Sequence, residues 1–370
     1  MVIRTITCHH AYNHGAMLQA FALVKYLQSL GHDVSVIDYW PQYMSKYNVD
    51  FKSVPQKYDY IGLRQLYRYL KKSYHQLEQL RRDSFESFFS KYIPITSAAY
   101  NSIDDLRRNP PDADLYIAGS DQIWNTTFNN GNDPAFYLSF GSPKRKVSYA
   151  ASFATSELKN GTQTFVQEQL KNFDSISVRE QSGLEILDEL GYQGVVVADP
   201  IFLLGTNQWD EMLSNEITQG DDYILAYDFE PRNGPVGLIS KRLATLMGCK
   251  IFSVSPFKHR YADRAFVDCS PDIFVSLIKN ARCIVSNSFH GTAFSMLYGR
   301  NFFVVNRKDG LNIRMKDLLS RYKLNDRLVS LGVADESLVK NVDYNSVNKL
   351  LKNDVDFSKS FLSQQLELAK

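Results

Sequence analysis

The sequence has little cysteine, little net charge and no long apolar run, and each shortage closes off a class of function. Its 370 residues contain four cysteines, Cys8, Cys249, Cys269 and Cys283, with no CxxC spacing among them. Neither a cysteine zinc site nor a disulfide framework is indicated, and the expectation is of reduced thiols in a core. With 42 basic and 40 acidic side chains the formal charge is +2, which excludes the general basic field of a nucleic-acid binder. Any anion must then be recognised locally, and the partner is expected to be small or a neutral polymer. No stretch approaches the roughly 20 apolar residues of a membrane span, and the opening "MVIRTITCHH" is too short an apolar run for a signal peptide. A cytoplasmic protein is expected, in which the sequons at Asn125 and Asn160 carry little weight. Internal repeats and low-complexity segments are also missing, as is the dinucleotide fingerprint G-x-G-x-x-G.

What is present is an alternation of strand-like and helix-like segments. Val2 to Thr7 reads as a strand. Ala16 to Leu30 reads as a helix, with Met17, Phe21, Val24, Leu27 and Leu30 at three- and four-residue spacing and Gly31 as its stop, and Val34 to Tyr39 is the next strand. After a helical insert at about 60–92 come strands at Asp114 to Ser120, Lys146 to Ala150 and Ser175 to Glu180, a helix from Gln181 to Leu190, and a strand at Gly194 to Pro200. The pattern restarts with strands at Tyr223 to Phe229, Lys250 to Ser255, Cys283 to Ser286 and Asn301 to Val305, separated by helices. Such alternation predicts an α/β chain with two Rossmann-like domains, 1–203 and 204–342, each with its own core, and a helical tail over 343–370. The insert carries Arg64, Arg68, Lys71, Lys72, Arg81 and Arg82 among Leu and Tyr. It suits a membrane surface or a lipid-linked anionic acceptor, but Glu78, Asp83 and Glu86 favour an amphipathic helix with a solvated basic face.

In open α/β sheets, ligands bind at the loops that follow the strands. The last βαβ unit places His290 and Gly291 of "SNSFHGTAF" at the start of a helix, where free backbone N–H groups attract anions. Two readings stand: a proton-handling histidine beside a bound anion, or a histidine satisfied within the turn. After the first strand, His9, His10, Asn13, His14 and Gly15 occupy a turn that can cradle a phosphate or a sugar hydroxyl. No acidic or cysteine partner stands at metal-ligand spacing from those histidines, so no metal site is expected. Asp38, ending the second strand, lies where a ribose-binding acid would, without the glycines that should accompany it. In "AGSDQIWNTTF", Ser120 and Asp121 are able to cap a helix or bind hydroxyls, and Trp124 offers a flat face for a sugar ring. Arg179 ends the strand "SISVR", suited to a carboxylate or phosphate or to a salt bridge with Glu180.

Taken in order, "NHGAMLQAFAL", "GSDQIWN", "SVRE" followed by "SG", "ADPIFLL" and "SNSFHGTAFS" resemble the polysaccharide pyruvyl transferase family. The resemblance implies a glycosyltransferase-B-like fold with two Rossmann-like halves facing a cleft. It implies transfer of a pyruvyl group from phosphoenolpyruvate to two hydroxyls of a sugar, free or lipid-linked, in a surface-polysaccharide precursor, with no metal and no cofactor beyond that donor. His290 is then the acid/base and Arg179 the donor-holding arginine, with Ser288, Phe289 and Gly291 around the donor. Some members carry an arginine where this chain has Ser288, and Arg314, with Arg327 behind it, is the expected substitute. Asn13, Gly15, Ser120, Asp121, Gln122 and Trp124 are expected on the acceptor side. A nucleotide-sugar-dependent glycosyltransferase and a non-catalytic sugar-binding protein are the rival readings.

Overall fold

The β-branched run Val2–Ile6 forms β1, and the apolar stripe behind it forms α1 (His14–Ser29), which Gly31 ends at φ 85°. This computed structural model describes residues 1–45, 63–213, 221–230, 234–306 and 312–370, the side chains of 45 and 63–75 excepted. The first half continues through β2 (Asp33–Tyr39), α2 (Gln42–Ser45), α3 (Leu63–Tyr92), β3 (Ile95–Tyr100), α4 (Ile103–Arg108) and β4 (Leu115–Ala118). It ends with β5 (Arg145–Ser148), α5 (Gln163–Leu170), β6 (Ser177–Val178), α6 (Gln181–Glu189), β7 (Val195–Val196) and α7 (Thr206–Asp210). Strands one to five make a parallel sheet in the order β3-β2-β1-β4-β5. Single bridges from Val147 to Ser175 and from Ala151 to Val178 attach the β6-β7 pair beside it.

The second half holds β8 (Tyr223–Tyr227), α8 (Pro235–Met247), β9 (Lys250–Val254), β10 (Arg264–Phe266), α9 (Pro271–Asn280) and β11 (Cys283–Ser286). After these come α10 (Phe289–Leu297), β12 (Asn301–Val305), α11 (Ile313–Arg321), β13 (Leu328–Val329), α12 (Asp335–Leu338) and α13 (Tyr344–Leu368). Its sheet is again parallel, in the order β10-β9-β8-β11-β12-β13. Strand order reverses between β1 and β4 in one sheet and between β8 and β11 in the other, and the crevice at such a reversal is where ligands bind. The loops after β1, β4 and β11 carry most of the expected site residues.

The apolar core departs from the expectation of one core per half. A single cluster runs from Ile3 and Leu23 through Ile201, Trp209 and Phe274 to Phe294 and Leu366. Separate clusters line the outer face of each sheet. The reason is that α1 is buried on nearly every side, packing on α9 and α10 of the other half. Trp209 lies between Phe21 and Phe294, with ring centroids 5.5 and 5.0 Å away. Helix α13 ties both halves: Tyr344 donates to the Ser295 carbonyl, Ser358 Oγ accepts from the Ala198 N–H, and Arg145 donates to Gln365. All four cysteines are free thiols. No helix of the described residues is long and apolar enough to cross a membrane.

Candidate functional site

Arg179 follows β6 directly, and its guanidinium is buried among acids. Nε donates to Glu180 (2.9 Å) and Nη1 to Asp199 (2.8 Å), while Asp121 stands 3.8 Å from Nη2. Opposing charges outweigh burial, so the group stays charged, with its pKa raised above the ordinary arginine value. Its plane lies over the Phe289 ring, 4.1 Å from the centroid, which lets a cation sit in an apolar wall. Nη2 is buried and makes no hydrogen bond. Arg314, from α11, reaches the same oxygen, Asp121 Oδ1, at 3.6 Å from its Nη1. Two guanidiniums therefore converge on one carboxylate. Asp121 itself adopts φ 73°, a left-handed conformation that aspartate tolerates better than most residues.

His290 is the second residue of α10 and is buried, with Nε2 3.6 Å from Asp199 Oδ2 and no hydrogen bond. Burial works against the charge on Asp199, yet His290 and Arg179 hold its carboxyl well below the ordinary carboxylate range. That anion is a ready partner for an imidazolium. The other edge of the ring meets the first half, because a Cβ built on Gly15 would lie 1.9 Å from His290 Nδ1. Only glycine admits the ring there. Gly15 thus shapes the position of His290, a role that its place in the sequence does not show.

Two cavities flank this cluster. One, of about 510 Å³, is lined by Arg179, Asp199, Phe289, Arg314, Arg321 and Tyr322 among others. Arg321 is itself engaged by Asp354 at 2.5 Å. A second, of about 180 Å³, is lined by His10, Asn13, Trp40, Asp121 and Gln122. Asp121 lines the second cavity while its carboxylate faces arginines of the first.

Several expected site residues lie elsewhere. Trp124 is fully buried, donates to the Phe136 carbonyl and stacks on Tyr137 at 4°; it is a core residue with no face open to a sugar. Ser120 is fully buried and joins the ionic cluster, donating to Asp199 at 3.2 Å, rather than lining the second cavity. Asn13 borders that cavity, but its side-chain Oδ1 caps α1 by accepting from the Gly15 and Ala16 N–H groups. Arg327 donates to the carbonyls of Lys340 and Asn341, so Arg314, not Arg327, reaches the cluster. Ser288 lies at the N-cap of α10 without a side-chain cap bond, and Gly291 is confined by Ser286 and Tyr227. His14 is held by Tyr227 and by the Cys269 carbonyl across the halves. Asp199 and Asp317 were not anticipated. Asp199 lies beyond the end of β7 (Val196) and caps the short turn Pro200–Leu203 by accepting from the Ile201 N–H, and Asp317 accepts from Ser182 at 2.7 Å, joining α11 to α6. In the insert, Arg81 donates to the Tyr12 carbonyl and Arg82 lies over the Tyr12 ring. The side chains of Arg64, Arg68, Lys71 and Lys72 fall outside the described residues.

The profile of the family described as Polysaccharide pyruvyl transferase matches residues 13–309. Comparison with curated protein sequences gives no match. Among solved structures, the chain is similar to UDP-GlcNAc 2-epimerase from Neisseria meningitidis bound to UDP-GlcNAc, at 11% identity over 99% of this chain and 100% of that one, with a TM-score of 0.50. It is equally similar to UGT89C1 from Arabidopsis thaliana, at 11% identity over 100% and 99% of the two chains, TM-score 0.50. Identity this low speaks to fold alone, and the fold is the glycosyltransferase-B-like pairing of two Rossmann-type halves.

Proposed function

The chain belongs to the polysaccharide pyruvyl transferase family, and from that premise we propose that it transfers a pyruvyl group from phosphoenolpyruvate to two hydroxyls of a sugar, forming a cyclic ketal and releasing phosphate. The observation that carries this reading is Arg179 Nη2, a buried charged donor without a hydrogen bond, beside Arg314 and His290. Phosphoenolpyruvate carries a carboxylate and a phosphate, and guanidinium groups are suited to both. Asp121 lies where such an anion would go, so donor binding would displace its carboxylate from the two arginines.

In the proposed sequence His290, with Asp199 3.6 Å from its Nε2, gives its proton to the methylene carbon of the donor, which becomes the methyl group. The adjacent carbon takes on oxocarbenium character and is attacked by one sugar hydroxyl, whose proton returns to His290. A second hydroxyl of the same sugar then attacks that carbon as its bond to the phosphate oxygen breaks, and its proton leaves with the phosphate. The acceptor enters from the second cavity, past His10, Asn13 and Gln122.

The test is the thermal stability of the purified protein with phosphoenolpyruvate and, separately, with a panel of nucleotide sugars. A ligand at a hundred times its Kd adds about 2.7 kcal/mol. Stabilisation by phosphoenolpyruvate that disappears in Arg179→Ala supports pyruvyl transfer. Stabilisation by a nucleotide sugar alone replaces it with glycosyl transfer.

A further inference from the structure

We propose that His9, His10 and Asp38 form a binding site for one divalent transition-metal ion at the carboxyl ends of β1 and β2. The two histidines lie in the loop that leaves β1, and Asp38 is the penultimate residue of β2, its parallel neighbour. One nitrogen from each ring and an oxygen of Asp38 all lie within 4.8 Å of one another. His10 Nε2 is 2.6 Å from Asp38 Oδ1, and His9 Nε2 is 3.7 Å from the same oxygen. The acidic partner that sequence spacing does not offer comes from the next strand.

The far side of the His9 ring sets its tautomer. Nδ1 lies 3.0 Å from the Thr7 carbonyl oxygen, which only accepts, so Nδ1 carries the hydrogen and the neutral ring presents a lone pair at Nε2. That Nε2 is fully buried and makes no hydrogen bond. It faces a carboxylate oxygen, a second electron-pair donor, and a cation between them satisfies both. A ring N–H donated to a backbone carbonyl is also the arrangement that orients metal-bound histidines. The walls are apolar: His9 stacks on Phe89 at 5.5 Å, and His10 meets the edge of Trp40 at 4.0 Å.

Two imidazoles and one carboxylate suit zinc, cobalt(II), iron(II) or manganese(II) better than magnesium, which keeps to oxygen ligands. Ligand atoms about 2.0–2.2 Å from a tetrahedral ion stand about 3.3–3.6 Å apart, so occupancy requires His10 and Asp38, now 2.6 Å apart, to part, while His9 and Asp38, at 3.7 Å, need move little. His10 also lines the smaller cavity, and a fourth coordination position there would be open to a hydroxyl of a bound sugar. That consequence rests on the transfer reading above, whereas the metal site does not.

The full chain, stripped with EDTA, should take up one Co²⁺ and show visible d–d bands of nitrogen and oxygen ligation. Zinc should displace the ion, and excess Mg²⁺ should not. Asp38→Asn and His10→Gln should each abolish the bands, while His32→Gln, beyond the other end of α1, should retain them. Absence of bands in the wild-type chain, or bands that persist in Asp38→Asn, would overturn the proposal. If either variant fails to fold, anomalous scattering at the zinc edge from wild-type crystals decides: density between His9, His10 and Asp38 supports the site, and density elsewhere or none refutes it. None of these readouts depends on turnover, so failure here leaves the pyruvyl reading to its own test.

Discussion

His290 is the residue whose position was most legible, because a polar residue between a β-branched strand and an apolar helix has few places to go. His290→Ala should lower turnover by about two orders of magnitude or more, the contribution of a positioned acid/base, while leaving phosphoenolpyruvate binding in place. Gly15, expected on the acceptor side, instead lies against the His290 ring. Its methyl substituent in Gly15→Ala would meet the His290 ring at 1.9 Å, so turnover should fall toward the His290→Ala level. Forcing that buried ring aside should also cost about 1–3 kcal/mol of stability, so kcat is measured on the folded variant, with Tm as its control. Trp124 was misread because an indole in a loop looks the same in sequence whether its faces are open or covered by Tyr137 and Phe153. Trp124→Ala should cost about 3–5 kcal/mol in urea unfolding, with intact binding in whatever folded fraction remains.

At the scale of elements, the long, strongly periodic segments were legible and the short edge strands were not. Helix α1 and strands β1, β8, β11 and β12 fall within a residue or two of their expected bounds, since buried parallel strands read as continuous apolar runs. Strand β3 is half-exposed at the sheet edge, and β10 and β13 have three and two residues, too few for any periodicity to register. The start of α1 depends on Asn13, whose side chain accepts from two N–H groups of the first turn. Asn13→Ala should destabilise by about 1 kcal/mol, and Asn13→Asp should restore most of it. If Asn13 also touches the acceptor, Asn13→Asp will raise KM while stability recovers, which a kinetic measurement on the restored variant detects.

At the scale of the whole molecule, the two halves share one apolar cluster and a set of polar contacts across it, and His14 is the most pH-sensitive of these. Burial pushes its pKa down to about 3, against a partly offsetting bond from the Cys269 carbonyl. The folded ring stays neutral where the unfolded chain, near pKa 6.5, takes up a proton, so protons favour unfolding between those values. Stability should be fully present above pH 6.5 and fall by on the order of 1 kcal/mol per pH unit as the pH drops toward 3. His14→Gln should flatten that slope in a pH series of urea melts; an unchanged slope would remove His14 as its cause. By itself the sequence determined the α/β alternation, the parallel sheets and the loops that would carry chemistry, because periodicity and strand-end placement are local properties of the chain. Only the tertiary structure decided which of those loops meet: Gly15 against His290, Arg314 and Arg179 on Asp121, Asp38 beside His9 and His10. Each of these contacts joins side chains from separate strands or from different halves, and sequence spacing carries no record of which surfaces pack together.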